Sequence, residues 1–441
     1  MNPPFARSLF VVVALLRIAA ADAPPSIVSH ASSHADGRAA YSFDASAYTG
    51  DIKQLPVGVF DSGIGGLTVL EAILSLDAFN NDTLQPGADG RRDFENERFI
   101  YFGDQANMPY GNYPGSRKED YLRELILKDA IFLLGRRAWP AGGAAPHFNK
   151  PPVKAIVIAC NTATAYGLED IRAAIEKWNI PVFVIGVVEA GARGVSETTR
   201  DGRKDAVAVL ATVGTCNANA YPRAIGRVVG LAGKSVPGVV QQGCVSLAGA
   251  IEGDPAYLLP SQSAAESVVS IVRSDVTALV EKYRADGGGP PISRVVLGCT
   301  HFPLVQREIA DAFSAARSAV PELRNLIAER IEFVNPAELT AKELFRGLAS
   351  ARLRLNGEEK CSLDRDAFFI SVPNPSCTSA KITTDGSLDS AYKYGRMAGR
   401  FDVEDTIVVP MQLSKLPKAS VGLIEDRLPE VAGRLGGARK K

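Results

Sequence analysis

The sequence predicts an α/β protein of two pseudo-symmetric domains, each built on a parallel sheet, facing a central cleft. Three observations predict it. Short β-branched runs alternate with helical patterns along most of the chain, as parallel sheets with crossover helices require. Two of those runs, Ala155-Ile156-Val157-Ile158-Ala159 and Arg294-Val295-Val296-Leu297-Gly298, lack polar alternation, as strands covered on both faces do. Both also end alike, in a small residue, a cysteine, an amide or hydroxyl residue, and then a helix start: Ala159-Cys160-Asn161-Thr162 and Gly298-Cys299-Thr300-His301. Ligands of open α/β sheets bind at the carboxyl edge of the strands. The duplication therefore places one sulfur on each wall of a cleft.

The totals exclude several classes. A chain of 441 residues, 46% hydrophobic and 22% charged, is ordinary globular material for roughly two or three domains. With 49 basic and 49 acidic residues the net charge is zero, so no nucleic acid partner or charged membrane surface is implied. Six scattered cysteines without a C-x-x-C pair argue against a zinc ribbon or a disulfide scaffold, and four histidines against a multi-His centre; no metal is expected.

The chain begins with Arg7, the apolar Leu9–Leu16 and the small residues Ala19–Ala23, a pattern that predicts a signal peptide over residues 1–23. Arg17 is an imperfection in it. Cleavage would leave no stable membrane contact. Residues 24–54, rich in Ala, Ser and Asp, read as a flexible linker. His30 and His34 share a helical spacing, but no Cys or carboxylate is arranged with them, so a tether is the simpler reading.

The folded part is expected to start at Leu55. Strand 56–60 runs into Asp61-Ser62-Gly63-Ile64-Gly65-Gly66 and a helix over 67–76. A polar insertion at 80–96 precedes strand 99–102, then Gly103-Asp104 and Met108-Pro109-Tyr110-Gly111. Helix 121–134 and a Pro/Gly insertion at 139–152 lead to the first cysteine strand. Helix 163–178 and strand 182–185 complete the first domain's opening half, 55–185. The second domain, 186–300, holds strand 206–210, Thr212 with Thr215, helix 218–228, a strand near 239–241 and the long helix 264–285. The first domain then resumes over 301–430 with helix 304–316, strand 331–334, helix 337–349 and strand 367–372. Residues 373–409 read as an insertion or mobile flap, and 431–441 as a flexible tail.

Two equivalent thiols admit three uses: a redox pair, a nucleophile with a bystander, or two acid/base groups on opposite sides of one carbon. The missing C-x-x-C spacing disfavours the first. A nucleophile needs a base, and helical spacing would keep His301 from facing Cys299. The third use accounts for the duplication. Cys216 and Cys244 lack the motif context and read as buried thiols; Cys361 and Cys377 flank the irregular region, and an exported chain could pair them.

From Val57 to Val372 the sequence resembles the glutamate racemase family. The motifs are Val59–Leu67, Gly103-Asp104, Pro109-Tyr110-Gly111, Ala159–Ala163, Gly186–Ala192, Thr212 with Thr215 and Tyr221, Glu252, and Gly298–His301, in that order. The resemblance implies interconversion of L- and D-glutamate without a cofactor, supplying D-glutamate for peptidoglycan. It implies that Cys160 is the base for the D-enantiomer and Cys299 for the L-enantiomer, with Asp61 beside Cys160, and His301 and Glu252 assisting Cys299. Ser62, Asn161, Thr162, Thr215 and Thr300 become donors to the substrate carboxylates. Thr212 and Pro109-Tyr110-Gly111 become pocket wall. Many relatives dimerise, so a homodimer is left open. Asp104 and Glu189 read as structural, and Asn335 has no assigned role. The leader and the three insertions depart from the compact family pattern, and export conflicts with the family's cytoplasmic role. An aspartate or hydantoin racemase, and an exported non-catalytic amino-acid-binding protein, remain as alternatives.

Overall fold

The structure is a computed structural model, and it describes residues 26–143, 145–200, 204–319 and 321–436. The expected leader, residues 1–23, lies outside them. The strands are β1 (Val57–Asp61), β2 (Phe99–Gly103), β3 (Ala155–Ile158), β4 (Phe183–Gly186), β5 (Ala206–Thr212), β6 (Gly238–Cys244), β7 (Ile292–Gly298), β8 (Ile327–Val334), β9 (Ala367–Pro373) and β10 (Thr406–Pro410). They form two sheets, ordered β10-β9-β2-β1-β3-β4 and β6-β5-β7-β8. All pairs are parallel except β9 with β10.

The order 2-1-3-4 in the first sheet recurs as 6-5-7-8 in the second. In each, the chain leaves its first strand to one side, then crosses back to the other. Such a reversal opens a crevice at the carboxyl edge, between the first strand and the third. Cys160 follows β3 and Cys299 follows β7, so each thiol stands beside its sheet's crevice.

Both faces of each sheet are covered, which is why the core strands read as unbroken apolar runs. In β3, Ala155 and Val157 face a core shared with helices Leu67–Ser75 and Pro336–Ser350. Ile156 and Ile158 face one shared with helices Glu119–Leu134 and Asn161–Trp178. In the second sheet Val295 and Leu297 pack toward helices Ala264–Ala285 and Gln306–Ala319. Val296 packs toward Val187–Thr198 and Ala220–Leu231.

The structure departs from the sequence reading in four places. Residues 26–52 are not a linker: Ser26–Ser33 is a helix, and Ile27, Val28, Phe43, Tyr48 and Ile52 are buried in the first core. The Tyr48 hydroxyl lies 3.2 Å from both the Leu134 and Val153 carbonyls. Few apolar residues were needed there, because they fill a site on helix Glu119–Leu134 rather than build a core of their own. The His30 and His34 rings meet at a tilt with centroids 4.4 Å apart; His30 Nε2 lies 2.9 Å from the Ala40 carbonyl and His34 Nδ1 3.0 Å from the His30 carbonyl. Second, β8 pairs with β7, so the second sheet runs to Val334 rather than stopping at residue 300. The strand expected at 331–334 is there, but as the edge of the second sheet rather than part of the first domain. Third, 373–409 is bounded by an antiparallel pair, β9 and β10, and contains helix Ser390–Gly395. Fourth, Pro429–Gly436 is a helix and not a tail; Val431 is fully buried, and the Glu71 carboxylate accepts from the Glu430 and Val431 amides. That is the anion-at-N-terminus arrangement that stabilises helix starts. All six cysteines are free thiols, Cys361 and Cys377 included. No helix of the described residues is long and apolar enough to cross a membrane.

Candidate active site

A cavity of about 680 Å3, counting its mouth, lies between the carboxyl edges of the two sheets. Cys160 enters it from the first sheet. It caps helix Asn161–Trp178, its sulfur accepting from the Ala163 amide at 3.4 Å, while its thiol points at the Ser62 hydroxyl 3.7 Å away. Burial, with the charge of Asp61 adding to it, pushes this thiol well above its usual range. Asp61 ends β1 and is 1% exposed. One carboxylate oxygen accepts from the Gly63 amide at 3.1 Å, and the Gly66 amide also favours its charged form. Burial raises its pKa to about 6, against the opposing pull of His301.

Cys299 enters from the second sheet. His301 Nδ1 lies 3.6 Å from its sulfur, and His301 Nε2 lies 2.7 Å from Glu252 Oε1. Helical spacing would have kept the two side chains apart, but residues 299–301 form a turn ahead of the short 3-10 segment Phe302–Val305. Burial alone would lower the imidazole pKa. The partners Cys299 and Glu252 override it and hold His301 well above its ordinary value. Gly65, after β1, makes room for this ring: a Cβ there would stand 2.3 Å from His301 Cε1. Thr68, on the helix that follows, donates to the Thr300 carbonyl at 2.8 Å and ties the two halves together.

Hydroxyls and amides fill the floor. The Thr162, Thr212 and Thr215 oxygens form a triangle with sides of 3.0, 3.0 and 3.2 Å, joining the two sheets. Asn161 Oδ1 accepts from Tyr221 at 2.7 Å, which leaves its NH2 group as the free donor.

Of the residues singled out in the sequence, Ser62, Pro109, Tyr110, Gly111, Cys160, Asn161, Thr162, Thr212, Cys299, Thr300 and His301 line the cavity. Asp61, Thr215 and Glu252 do not; they stand behind Cys160, Thr212 and His301 and reach the cavity through them. Tyr110 lines it, and its hydroxyl lies 2.5 Å from Asp104 Oδ2 and 2.8 Å from Asp129 Oδ2. Burial, with the charge of Asp104 adding to it, pushes the Asp129 carboxyl well above the usual range. Glu189 faces away from the cavity in pairs with Arg172 and Arg227. Sequence reasoning missed eight lining residues: Met108, Asn112, Val213, Cys244, Val245, Ala248, Gly249 and Tyr257. Cys244 carries a signal in hindsight, since it ends β6 at the same edge. Tyr257 carries none. Among the described residues no three His, Cys, Asp or Glu side chains cluster as a metal site.

Two sheets of one topology, each presenting a thiol to the same cavity beside hydroxyl and amide donors, define the class: an amino-acid racemase with a site between paired α/β halves. The comparisons agree. Residues 135–322 match the family model described as Asp/Glu/hydantoin racemase. The glutamate racemase of Thermus thermophilus is 30% identical over 69% of this chain and 83% of its own. That of Corynebacterium diphtheriae is 31% identical over 68% and 83%. Among solved structures, the glutamate racemase isoform RacE1 of Bacillus anthracis is similar at 26% identity and a TM-score of 0.49, covering 72% of this chain and 89% of that one. The chain belongs to the glutamate racemase family and is an isomerase.

Proposed function

We propose that this protein interconverts L- and D-glutamate by proton removal from one face of the α-carbon and return to the other, with Cys160 and Cys299 as the two bases. The observation that carries this reading is the presence of both thiols in one cavity at matching strand ends. With a group on each side, one sulfur as thiolate takes the α-proton while the other, as thiol, delivers its own proton to the opposite face. Cys160 serves the D-enantiomer and Cys299 the L-enantiomer. His301, held by Glu252, takes and returns the Cys299 proton; Asp61 orients the Cys160 side.

Removing an α-proton spreads negative charge onto the substrate carboxylate. Fixed donors aimed there lower that barrier. Thr162, Thr212, Asn161, Ser62, Thr300 and the helix start after Cys160 supply such donors in number, which suits a substrate with two carboxylates. D-Glutamate made this way serves peptidoglycan synthesis.

The test is optical detection of D-glutamate formed from L-glutamate by the reduced protein, and its loss in Cys160→Ser and in Cys299→Ser. Full racemisation by either variant removes the two-base assignment. Turnover of aspartate in preference to glutamate would move the substrate, not the mechanism.

A further inference from the structure

The segment between β9 and β10 supplies none of the cavity lining, yet its polar side chains converge on the back of the loop that does. Residues 105–113 carry Met108, Pro109, Tyr110, Gly111 and Asn112 into the cavity wall. Behind them, Lys393 Nζ donates to the Met108 carbonyl at 2.7 Å. Arg396 donates to Asn107 Oδ1, to the Tyr113 hydroxyl at 3.1 Å and to Asp405 at 2.9 Å, and its guanidinium lies over the Tyr121 ring. Asn112 Nδ2 reaches the Tyr394 hydroxyl at 3.4 Å. The polar chain then continues inward. Asn107 Nδ2 donates to both Asp104 oxygens, at 2.8 and 2.9 Å, and Asp104 accepts from Tyr110, one of the cavity's lining residues.

We propose that the 374–405 segment is a strap that sets the position of the substrate-contacting wall 108–112, with Arg396 and Lys393 as its positioning residues. The inference rests on the cavity being the substrate site. The Arg396 side chain is only 8% exposed, and its planar fork holds three partners at fixed angles, which a lysine cannot reproduce. Removing it leaves Asp405 buried without its cation and Asn107 without its donor, so the loop relaxes where it is held. The thiols directly follow β3 and β7, which the strap's named contacts do not touch. The strap therefore governs how well substrate is held rather than how fast a proton moves once it is aligned.

The test uses the full chain with Arg396→Ala, Arg396→Lys and Lys393→Met. Arg400→Ala is the control: it lies in the same segment, is 67% exposed and pairs with Asp402. Two readouts are taken, amide hydrogen exchange and racemisation kinetics. In Arg396→Ala, amides of 105–113 are expected to exchange at least about tenfold faster while β1, β3 and β7 keep their rates. KM is expected to rise about tenfold with kcat within about threefold, Arg396→Lys falling between. Lys393→Met, which keeps most of the stem, is expected to raise KM about threefold, and decides the matter alone if Arg396→Ala fails to fold. Unchanged exchange and KM in both variants would overturn the strap. So would faster exchange spread evenly over both sheets, or an equal fall in kcat and kcat/KM at constant KM. A wild-type protein that does not racemise glutamate refutes the functional reading instead, and the exchange readout, which needs no turnover, still decides the strap.

Discussion

The two halves share a topology and differ in what surrounds the thiol. Cys160 has a hydroxyl at 3.7 Å, a capped amide and a buried carboxylate behind, all of which leave it short of positive charge. Cys299 has an imidazole at 3.6 Å with its own carboxylate. Duplication of a strand–turn–helix unit explains where the sulfurs are. It does not explain their chemistry, which comes from a residue two positions beyond one cysteine and from a helix end 47 residues before it. The difference teaches that a symmetric proton transfer can be run by unsymmetric partners, each tuning its own side.

The largest effect that tests this comparison is removal of either sulfur. General acid/base loss of this kind costs roughly 10^3-fold in racemisation. The sharper readout is isotope exchange. Cys160→Ser is expected to keep washing α-deuterium out of L-glutamate but not D-glutamate, and Cys299→Ser to do the reverse. Exchange from both enantiomers in either variant would break the assignment of faces.

Next comes the imidazole. His301→Asn is expected to lower kcat/KM by roughly 10^2-fold, equally in both directions because the enantiomers are equally stable. Glu252→Gln is expected to cost roughly tenfold. The Glu252 carboxylate is one cause of the raised His301 pKa. Its loss lowers that value, so the limb of the pH–rate profile set by His301 moves to lower pH. An unmoved profile would detach Glu252 from the Cys299 side.

The smallest effect is on stability and belongs to the Cys160 side. A buried carboxyl raised from 3.8 to about 6 disfavours folding once ionised, by ~3 kcal/mol. The unfolded group ionises from about pH 4 and the folded one only near pH 6, so this contribution destabilises progressively as pH climbs between them and stays constant above. Asp61→Asn is expected to be more stable than wild type above pH 6, by up to ~3 kcal/mol in urea unfolding, and to lose that advantage below about pH 4. A difference independent of pH would mean that the Asp61 carboxyl titrates alike in the folded and the unfolded chain.

Much of this was legible because it is local. The run 155–159 announces β3, and the residues right after it mark the edge where Cys160 stands. Contacts across long gaps were not. Glu252 reaches His301 because β6 and β7 flank the same strand, β5, a neighbour relation that no spacing encodes. Helix Ser26–Ser33 hid in an Ala- and Ser-rich stretch because its three buried residues complete another element's core. Strand β8 was legible over 331–334, but the sheet it joins was not, because its pairing with β7 is a neighbour relation that its own residues do not encode. The 299–301 turn misled for the opposite reason: a helical periodicity was assumed one residue too early.

The threonine triangle has a consequence for filling the cavity. Three hydroxyls own three protons, so a closed ring of Thr162, Thr212 and Thr215 spends every donor internally. An incoming anion can engage Thr162 or Thr212 only by pulling one proton outward, which opens the ring. Occupation and the mechanical link between the halves thus draw on the same three hydrogens, and the bridge slackens as the guest arrives.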